Sequence, residues 1–417
     1  MILRRPTARR DAGDCVLEAE LVPEANGSGP VRVRHTVDAA YEEHLDRTAT
    51  PFVPAAVALA TASGEDLRIE GPVSERLVRG AEGASRLYAE WWSYRPARVA
   101  ADEPAPVVSP ADGVGLFYSR GVDSTATLLR SLAGSIPERV THLLSFNGFI
   151  RRYSAETDRR VWEATARAAA EYGLPLVRLE TDTDLPLRAR MTWGEAFGAV
   201  LAGGALALGP AFGRVLFGAT VDDDNPRARG SHPDLDRLWS TEGTSFRQDG
   251  TELGKMGRIE LVSRDPVALR HLKVCWEVDT SGNCGRCFKC VKTMTALARS
   301  GDTGWAQAFD VALTPSVVRD CEASPAEAAR IRHQLLGNLP PELAPLESAW
   351  ARKARSLERE EARRARRRLV RRRARRFARS LRRAQRRRRR VWRRGRRRLA
   401  RAVRLRRWPP PRERGES

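Results

Sequence analysis

Two stretches of this 417-residue chain carry residue types at spacings that suit chemistry. The first is Y-S-R-G-V-D-S-T, positions 118–125, which follows the apolar run Val114 to Tyr118 and precedes a helix-patterned segment with Leu128, Leu129 and Leu132 on one face. A strand, a tight glycine-containing turn and a helix start gather backbone N–H groups at the positive end of the helix dipole, which makes an anion site. Ser119 and Ser124 add hydroxyl donors, Arg120 a positive charge, and Asp123 a carboxylate able to hold Mg²⁺ or to cap the helix. Gly121, Val122 and Thr125 complete the candidate anion-loop residues. The Gly-Lys-Ser/Thr ending of a Walker loop is absent, and the alternative is a capped helix start with no ligand.

The second stretch holds Cys275, Cys284, Cys287 and Cys290, spaced C-x8-C-x2-C-x2-C. Four thiolates satisfy the closed tetrahedron of a structural zinc ion, with an iron–sulfur cluster or unligated thiols as the alternatives. Cys15 and Cys321 lie far from the cluster in sequence and need only a packing role.

The elements that must position these residues follow from the surrounding pattern. From Gly113 onward, short apolar runs alternate with helical segments, which predicts an α/β fold with a doubly wound, mostly parallel sheet. Residues 1–100 read as a small α+β domain, with strands near Cys15 to Leu21 and Val31 to Val37 and a helix over Val78 to Trp92. The Pro- and Ala-rich residues 101–112 read as a linker, 113–310 as the α/β domain with its anion loop and cysteine lobe, and 311–350 as a helical extension. Residues 351–417 form a basic helical or disordered tail with 33 Arg or Lys against 5 Asp or Glu, whereas residues 1–350 carry a net charge of −6. Such a tail would contact nucleic acid or an anionic surface through its charge alone. Its apolar residues Val370, Phe377, Leu381, Trp392, Leu399 and Val403 form one narrow stripe. The start MILRRPTARRDAGD lacks the apolar core of a signal peptide, and the uncharged run Ala196 to Gly213 is Gly-rich and falls short of a spanning helix, so a cytoplasmic location is expected.

The loop resembles the S-G-G-x-D-S loop of the PP-loop, or N-type, ATP pyrophosphatases, matched by Ser119, Gly121, Asp123 and Ser124, with Arg120 in place of the usual first glycine. Together with the following cysteine spacing, it is similar to the 7-cyano-7-deazaguanine synthase family over roughly residues 113 to 300. The resemblance implies a Rossmann-like sheet, use of Mg-ATP and structural Zn²⁺. It also implies adenylation of a small carboxylate with release of pyrophosphate, then amide or nitrile formation with ammonia or an amine, in a homodimer. It places Ser145, Phe146 and Asn147 against the adenine and Gly218, Ala219 and Thr220 near the substrate. Ser231, His232, Pro233, Asp234 and Asp236 replace a Tyr-Pro-Asp-Cys stretch, and Ser263-Arg264 replaces a Ser-Lys, which nominates Arg264 beside Asp123 as a catalytic residue. The run Asp222, Asp223, Asp224 before Asn225 is either a second Mg²⁺ or amine contact or a solvated loop. Residue 2 is Ile, so the N-terminal cysteine of a glutamine-using synthetase is missing. Two other readings stand beside this one: a tRNA-modifying PP-loop enzyme that holds RNA with its tail, and a non-catalytic zinc-bearing module with a degenerate loop.

Overall fold

The computed structural model describes residues 1–24, 29–107, 109–147, 153–223, 226–277, 279–299, 304–325, 327–337 and 339–370. Asp224, Asn225, Phe377, Leu381, Trp392, Leu399 and Val403 lie outside the described residues.

The N-terminal region contributes β1 (Ile2–Leu3), β2 (Thr7–Asp11), β3 (Asp14–Val22), β4 (Val31–Asp38), helix α1 (Val53–Ser63), β5 (Leu67–Val73), α2 (Glu75–Trp92) and β6 (Val99–Pro104). There follow β7 (Val114–Phe117), α3 (Val122–Leu132), β8 (His142–Phe146), α4 (Ala155–Glu171), β9 (Leu176–Thr181), α5 (Asp184–Arg188) and α6 (Trp193–Leu206). Then come β10 (Arg214–Gly218), α7 (Pro233–Asp236), β11 (Ser245–Asp249), α8 (Gly254–Ser263), α9 (Pro266–His271) and α10 (Phe288–Ala298).

These strands make one mixed, mostly parallel sheet in the order β11-β10-β7-β8-β9-β4-β3-β1-β5-β6, with β2 paired to β3. The expected α/β class is therefore present, but the N-terminal strands are not a sheet of their own. Antiparallel pairing of β4 with β9, Val37 opposite Leu179, joins them to the rest. Met1–Ala323 and Ile331–Ala351 accordingly form one compact unit. The proposed linker is also shortened, because Ala101 to Pro104 belong to β6, with Ala101 opposite Ile69 and Glu103 opposite Pro72. Proline is tolerated there because β6 is an edge strand and Pro104 ends it.

The helices follow their patterns. In α2, Ser74 caps the start by accepting from Leu77 N, and Leu77, Ala81, Ala84 and Tyr88 bury one face. In α6 a capping box joins Thr192 and Glu195, and the glycines allow close approach, a Cβ at Gly203 falling 2.6 Å from the Pro51 carbonyl oxygen. This helix fills the uncharged run and sits in the core; no helix among the described residues is long and apolar enough to cross a membrane. In α3 the apolar face is shorter than the pattern suggests, since Leu128 is buried but Leu132, at the last turn, is exposed. In the second unit, residues 352–370 are helical, and 361–370 are exposed throughout.

Candidate anion and metal sites

Within the sheet, β11-β10-β7-β8-β9 run parallel. The chain moves from β7 outward to β8 and β9, then returns to add β10 and β11 on the other side of β7. The order thus reverses between β7 and β10, and the crevice at the carboxyl ends of such strands is where open α/β sheets take ligands.

The loop from Tyr118 to Gly121 opens into that crevice. Gly121 is the N-cap residue of α3 and gives no side-chain cap, so the leading N–H groups of the helix lack the usual internal acceptor. Asp123 is thus not the cap. Ser124 Oγ accepts from Ser119 N at 3.3 Å and donates to the Gly121 carbonyl at 3.2 Å, which closes the turn. Val122 and Thr125 are buried under the loop. At the end of β10, Gly218 lies so close that a Cβ would stand 2.6 Å from the Asp123 carbonyl carbon and 2.7 Å from Ser124 N. Ala219 is buried, and Thr220 Oγ1 donates to the Ser231 carbonyl at 2.5 Å.

Asp123 points across the crevice to α8. Lys255 Nζ lies 2.8 and 2.9 Å from its two carboxylate oxygens, and Arg258 Nε lies 2.8 Å from one of them. Arg258 also reaches Asp222 at 2.6 Å and the Gly250 carbonyl at 2.8 Å. Burial opposes ionisation of Asp123, but Lys255 and Arg258 outweigh it and hold the carboxyl at about 2. Burial, and then the neighbouring Lys255, bring the Lys289 ammonium of α10 down to about 8. The crevice therefore combines two carboxylates, Asp123 and Asp222, with three cations from two helices, an arrangement suited to an anionic ligand.

Arg264 is not among them. It caps the far end of α8, has 70% of its side chain exposed and pairs with Glu260 at 2.5 Å. It lies about two and a half turns beyond Lys255, which turns it to the opposite face of the helix. Sequence reasoning missed Lys255 and Arg258, although their i, i+3 spacing after a strand was a usable signal.

Arg120 also departs from expectation. Its backbone holds the left-handed conformation with φ 58°, which explains why a glycine suits this position. Its guanidinium turns away from the crevice into the protein, 4% exposed, where Nε donates to Thr165 Oγ1 at 3.1 Å and Nη1 to the His271 carbonyl at 3.3 Å. The expected side-chain contact with the anion is thus replaced by an internal one.

The strand end at β8 serves other ends than the loop. Ser145 is half-buried, and Phe146 packs on Phe117, with ring centroids 6.1 Å apart, and on Gly204. Asn147 donates to Glu180 Oε1 at 2.8 Å and lines a cleft of about 470 Å³ with Tyr41, Trp162 and Arg178. None of the residues lining this cleft belongs to the loop.

Beyond β10, Ser231 Oγ donates to Asp236 Oδ2 at 2.7 Å, and Gln248 Nε2 donates to the same oxygen at 2.8 Å. Asp236 is fully buried, and burial, against those hydrogen bonds, pushes its carboxyl up to about 7. His232 instead caps α7, accepting from Asp234 N at 3.2 Å, and packs edge-on against Trp91. Pro233 starts the helix and Asp234 is exposed.

The four cysteines meet as their spacing predicts. Sulfur separations are 3.5 Å for Cys275 and Cys284, 4.0 Å for Cys275 and Cys287 and 3.9 Å for Cys284 and Cys290, and all four atoms lie within 4.8 Å of one another. A tetrahedron with Zn–S bonds of about 2.3 Å has an edge of roughly 3.8 Å, so the cluster can hold a metal ion such as Zn²⁺. The backbone prepares the site. Cys287 N donates to Cys284 Sγ and Cys290 N to Cys287 Sγ, each at 3.4 Å, and Gly285 supplies the left-handed turn with φ 64°. Asn283, fully buried, accepts from Val274 N and Cys275 N and donates to the Leu272 and Ala308 carbonyls.

No family model matches the chain, and neither curated proteins nor solved structures match it. The functional reading therefore rests on the residues themselves.

Proposed function

We propose that this protein is an ATP-dependent enzyme of the PP-loop type that adenylates a small carboxylate, as 7-cyano-7-deazaguanine synthase does. The observation that carries the reading is the uncapped start of α3 at the strand-order reversal, with Asp123, Lys255 and Arg258 facing it. In this reading the substrate carboxylate oxygen attacks the α-phosphorus, the bond to the β-phosphate oxygen breaks, and pyrophosphate leaves. Ammonia or an amine then displaces AMP from the acyl group to give an amide; where the donor is ammonia, a second ATP adenylates the amide oxygen with release of pyrophosphate, and departure of AMP with loss of both amide N–H protons leaves the nitrile.

Asp123 would hold Mg²⁺, which neutralises phosphate charge when bound. Lys255, released from Asp123, then meets the phosphate oxygens, while Arg258 keeps its ties to Asp222 and Gly250 and offsets charge on the departing pyrophosphate. The helix N–H groups orient the polyphosphate without needing to reorganise. Arg120 argues against a degenerate loop, since it keeps the left-handed turn that a glycine would supply. The metal lobe contributes Lys289 to the same charge field.

Phosphorus NMR of the full-length, zinc-loaded protein with Mg-ATP, ammonium and 7-carboxy-7-deazaguanine tests the reading, with Asp123→Ala as control. AMP and pyrophosphate should form only when the acid is present and should vanish in the variant. ATP binding without turnover would keep the nucleotide site and exclude this acid; a wild-type protein that binds no ATP would overturn the proposal.

A second reading, an RNA-modifying enzyme of the same type, draws on the exposed Arg-rich residues 361–370. It predicts that tRNA, rather than a free acid, triggers pyrophosphate release, with affinity falling steeply as salt rises.

A further inference from the structure

The geometry points to Arg120 as a strut that couples the four-cysteine site to the anion loop, so that metal occupancy sets the loop's geometry. Arg120 is a positioning residue, and its functional consequence rests on the reading of residues 119–124 as an anion site.

An L residue held at φ 58° is strained, and such a conformation persists only where its surroundings over-determine it. Here the surroundings are two elements. On one side Arg120 Nε and Nη2 donate to Thr165 Oγ1 at 3.1 Å and to the Val161 carbonyl at 3.5 Å, both on α4. On the other side Nη1 donates to the His271 carbonyl at 3.3 Å, and the Arg120 carbonyl accepts from Lys273 N at 3.0 Å. No carboxylate pairs with this buried guanidinium among the described residues, so main-chain carbonyls and one hydroxyl must hold it in place.

The segment 271–275 is the link. Residues 272–275 are held on the far side by the cysteine lobe, while His271 Nε2 pairs with Glu171 Oε1 at 2.7 Å and Tyr153 Oη donates to the Cys275 carbonyl at 3.0 Å. Asn283 takes Val274 N at 2.7 Å and Cys275 N at 3.0 Å and gives Nδ2 to the Leu272 carbonyl at 2.7 Å. Lys273 Nζ donates to the Thr280 and Gly282 carbonyls at 2.7 and 2.6 Å. Cys275 and Cys284 then close this turn around the metal position. Metal–sulfur bonds would tie Cys275 to Cys284, Cys287 and Cys290, so loss of the metal loosens the turn and weakens the hold of this segment on Arg120 through the Lys273 N–H and the His271 carbonyl. Coupling of this kind is reciprocal, so an Arg120 variant must also release metal more readily.

Hydrogen exchange on the full-length protein reads the loop without any nucleotide, which keeps this test separate from the question of ATP use. Stripping zinc with EDTA should speed amide exchange in residues 119–125 by about tenfold while α1 keeps its protection. In Arg120→Gly, which tolerates the same φ, the loop should exchange fast whether or not zinc is present, and equilibrium competition with a chelating dye should show zinc release at about a tenfold lower dye concentration. Thr165→Val, which removes a single acceptor, should give a smaller change in the same direction. Loop exchange in wild type that ignores zinc would overturn the proposal. So would Arg120→Gly with unchanged zinc release, the result expected if Arg120 only packs, and so would loss of α1 protection on chelation, which would mean global unfolding.

Discussion

Lys255 Nζ contacts both carboxylate oxygens of Asp123, at 2.8 and 2.9 Å, although the two residues lie 132 positions apart. This pair joins the first turn of α3 to α8 and fixes the charge of the crevice. It also gives the acid limb of stability. The Asp123 carboxyl is held at about 2, below its ordinary 3.8, because Lys255 and Arg258 outweigh the cost of burial. The pair's contribution is therefore fully present above about pH 4 and is lost as pH falls toward 2. Thermal melts of Asp123→Asn should lack part of the acid destabilisation that wild type shows across that window; identical acid limbs would refute the assignment.

Arg258 and Arg264 should behave oppositely. Arg258 is 2% exposed and serves Asp123, Asp222 and the Gly250 carbonyl, so Arg258→Ala removes charged hydrogen bonds to two half-buried carboxylates, of which Asp123 keeps Lys255, and should cost about 2 kcal/mol. Arg264→Ala, on an exposed side chain, should change stability by less than about 0.5 kcal/mol. Urea denaturation of the two variants decides between them.

Gly218→Ala tests the contact between β10 and the loop. The added methyl meets backbone atoms of Asp123 and Ser124 rather than a movable side chain, so it must push α3 away from β10. The expected cost is roughly 1 to 3 kcal/mol, with weaker binding of pyrophosphate by calorimetry.

The difference between these residues shows what a sequence reveals. The strand-turn-helix at 114–132 and the cysteine spacing were legible because both are local, with all their geometry within a few turns of chain. Lys255 and Arg258 were not, because their partner lies across the sheet and the match with Ser263-Arg264 drew attention to the wrong face of α8. The direction of Arg120 was equally hidden, since two of its three acceptors are main-chain carbonyls that any residue could supply. The antiparallel junction of β4 with β9 carries no local signature either, and composition alone made part of β6 look like a linker.

The cysteine cluster predicts about one equivalent of zinc per chain by mass spectrometry of the metal. Cys284→Ser should lose most of it, because this sulfur is near both Cys275 and Cys290 and accepts Cys287 N. Cys15→Ser, far from the cluster and buried in the core, should retain full zinc content.

Asp236 predicts the opposite pH behaviour from Asp123. Its carboxyl is raised from 3.8 to about 7 because burial disfavours the charged form more than Ser231 and Gln248 can offset. The folded protein thus holds a proton there that the unfolded chain has lost, and stability must fall as pH rises from about 4 to 7. Its Oδ1 has no hydrogen-bond partner among the described residues, whereas Oδ2 has two donors. In Asp236→Asn the amide oxygen can keep both donors, and the neutral group has no charge to bury. That variant should lose the pH dependence across this window and be more stable than wild type at pH 8, while Asp236→Ala, which leaves a cavity and takes the acceptor from the Ser231 hydroxyl, should be less stable at every pH. Urea midpoints at pH 5 and pH 8 for the three proteins test the assignment, and parallel pH profiles in wild type and Asp236→Asn would remove the buried proton from the account.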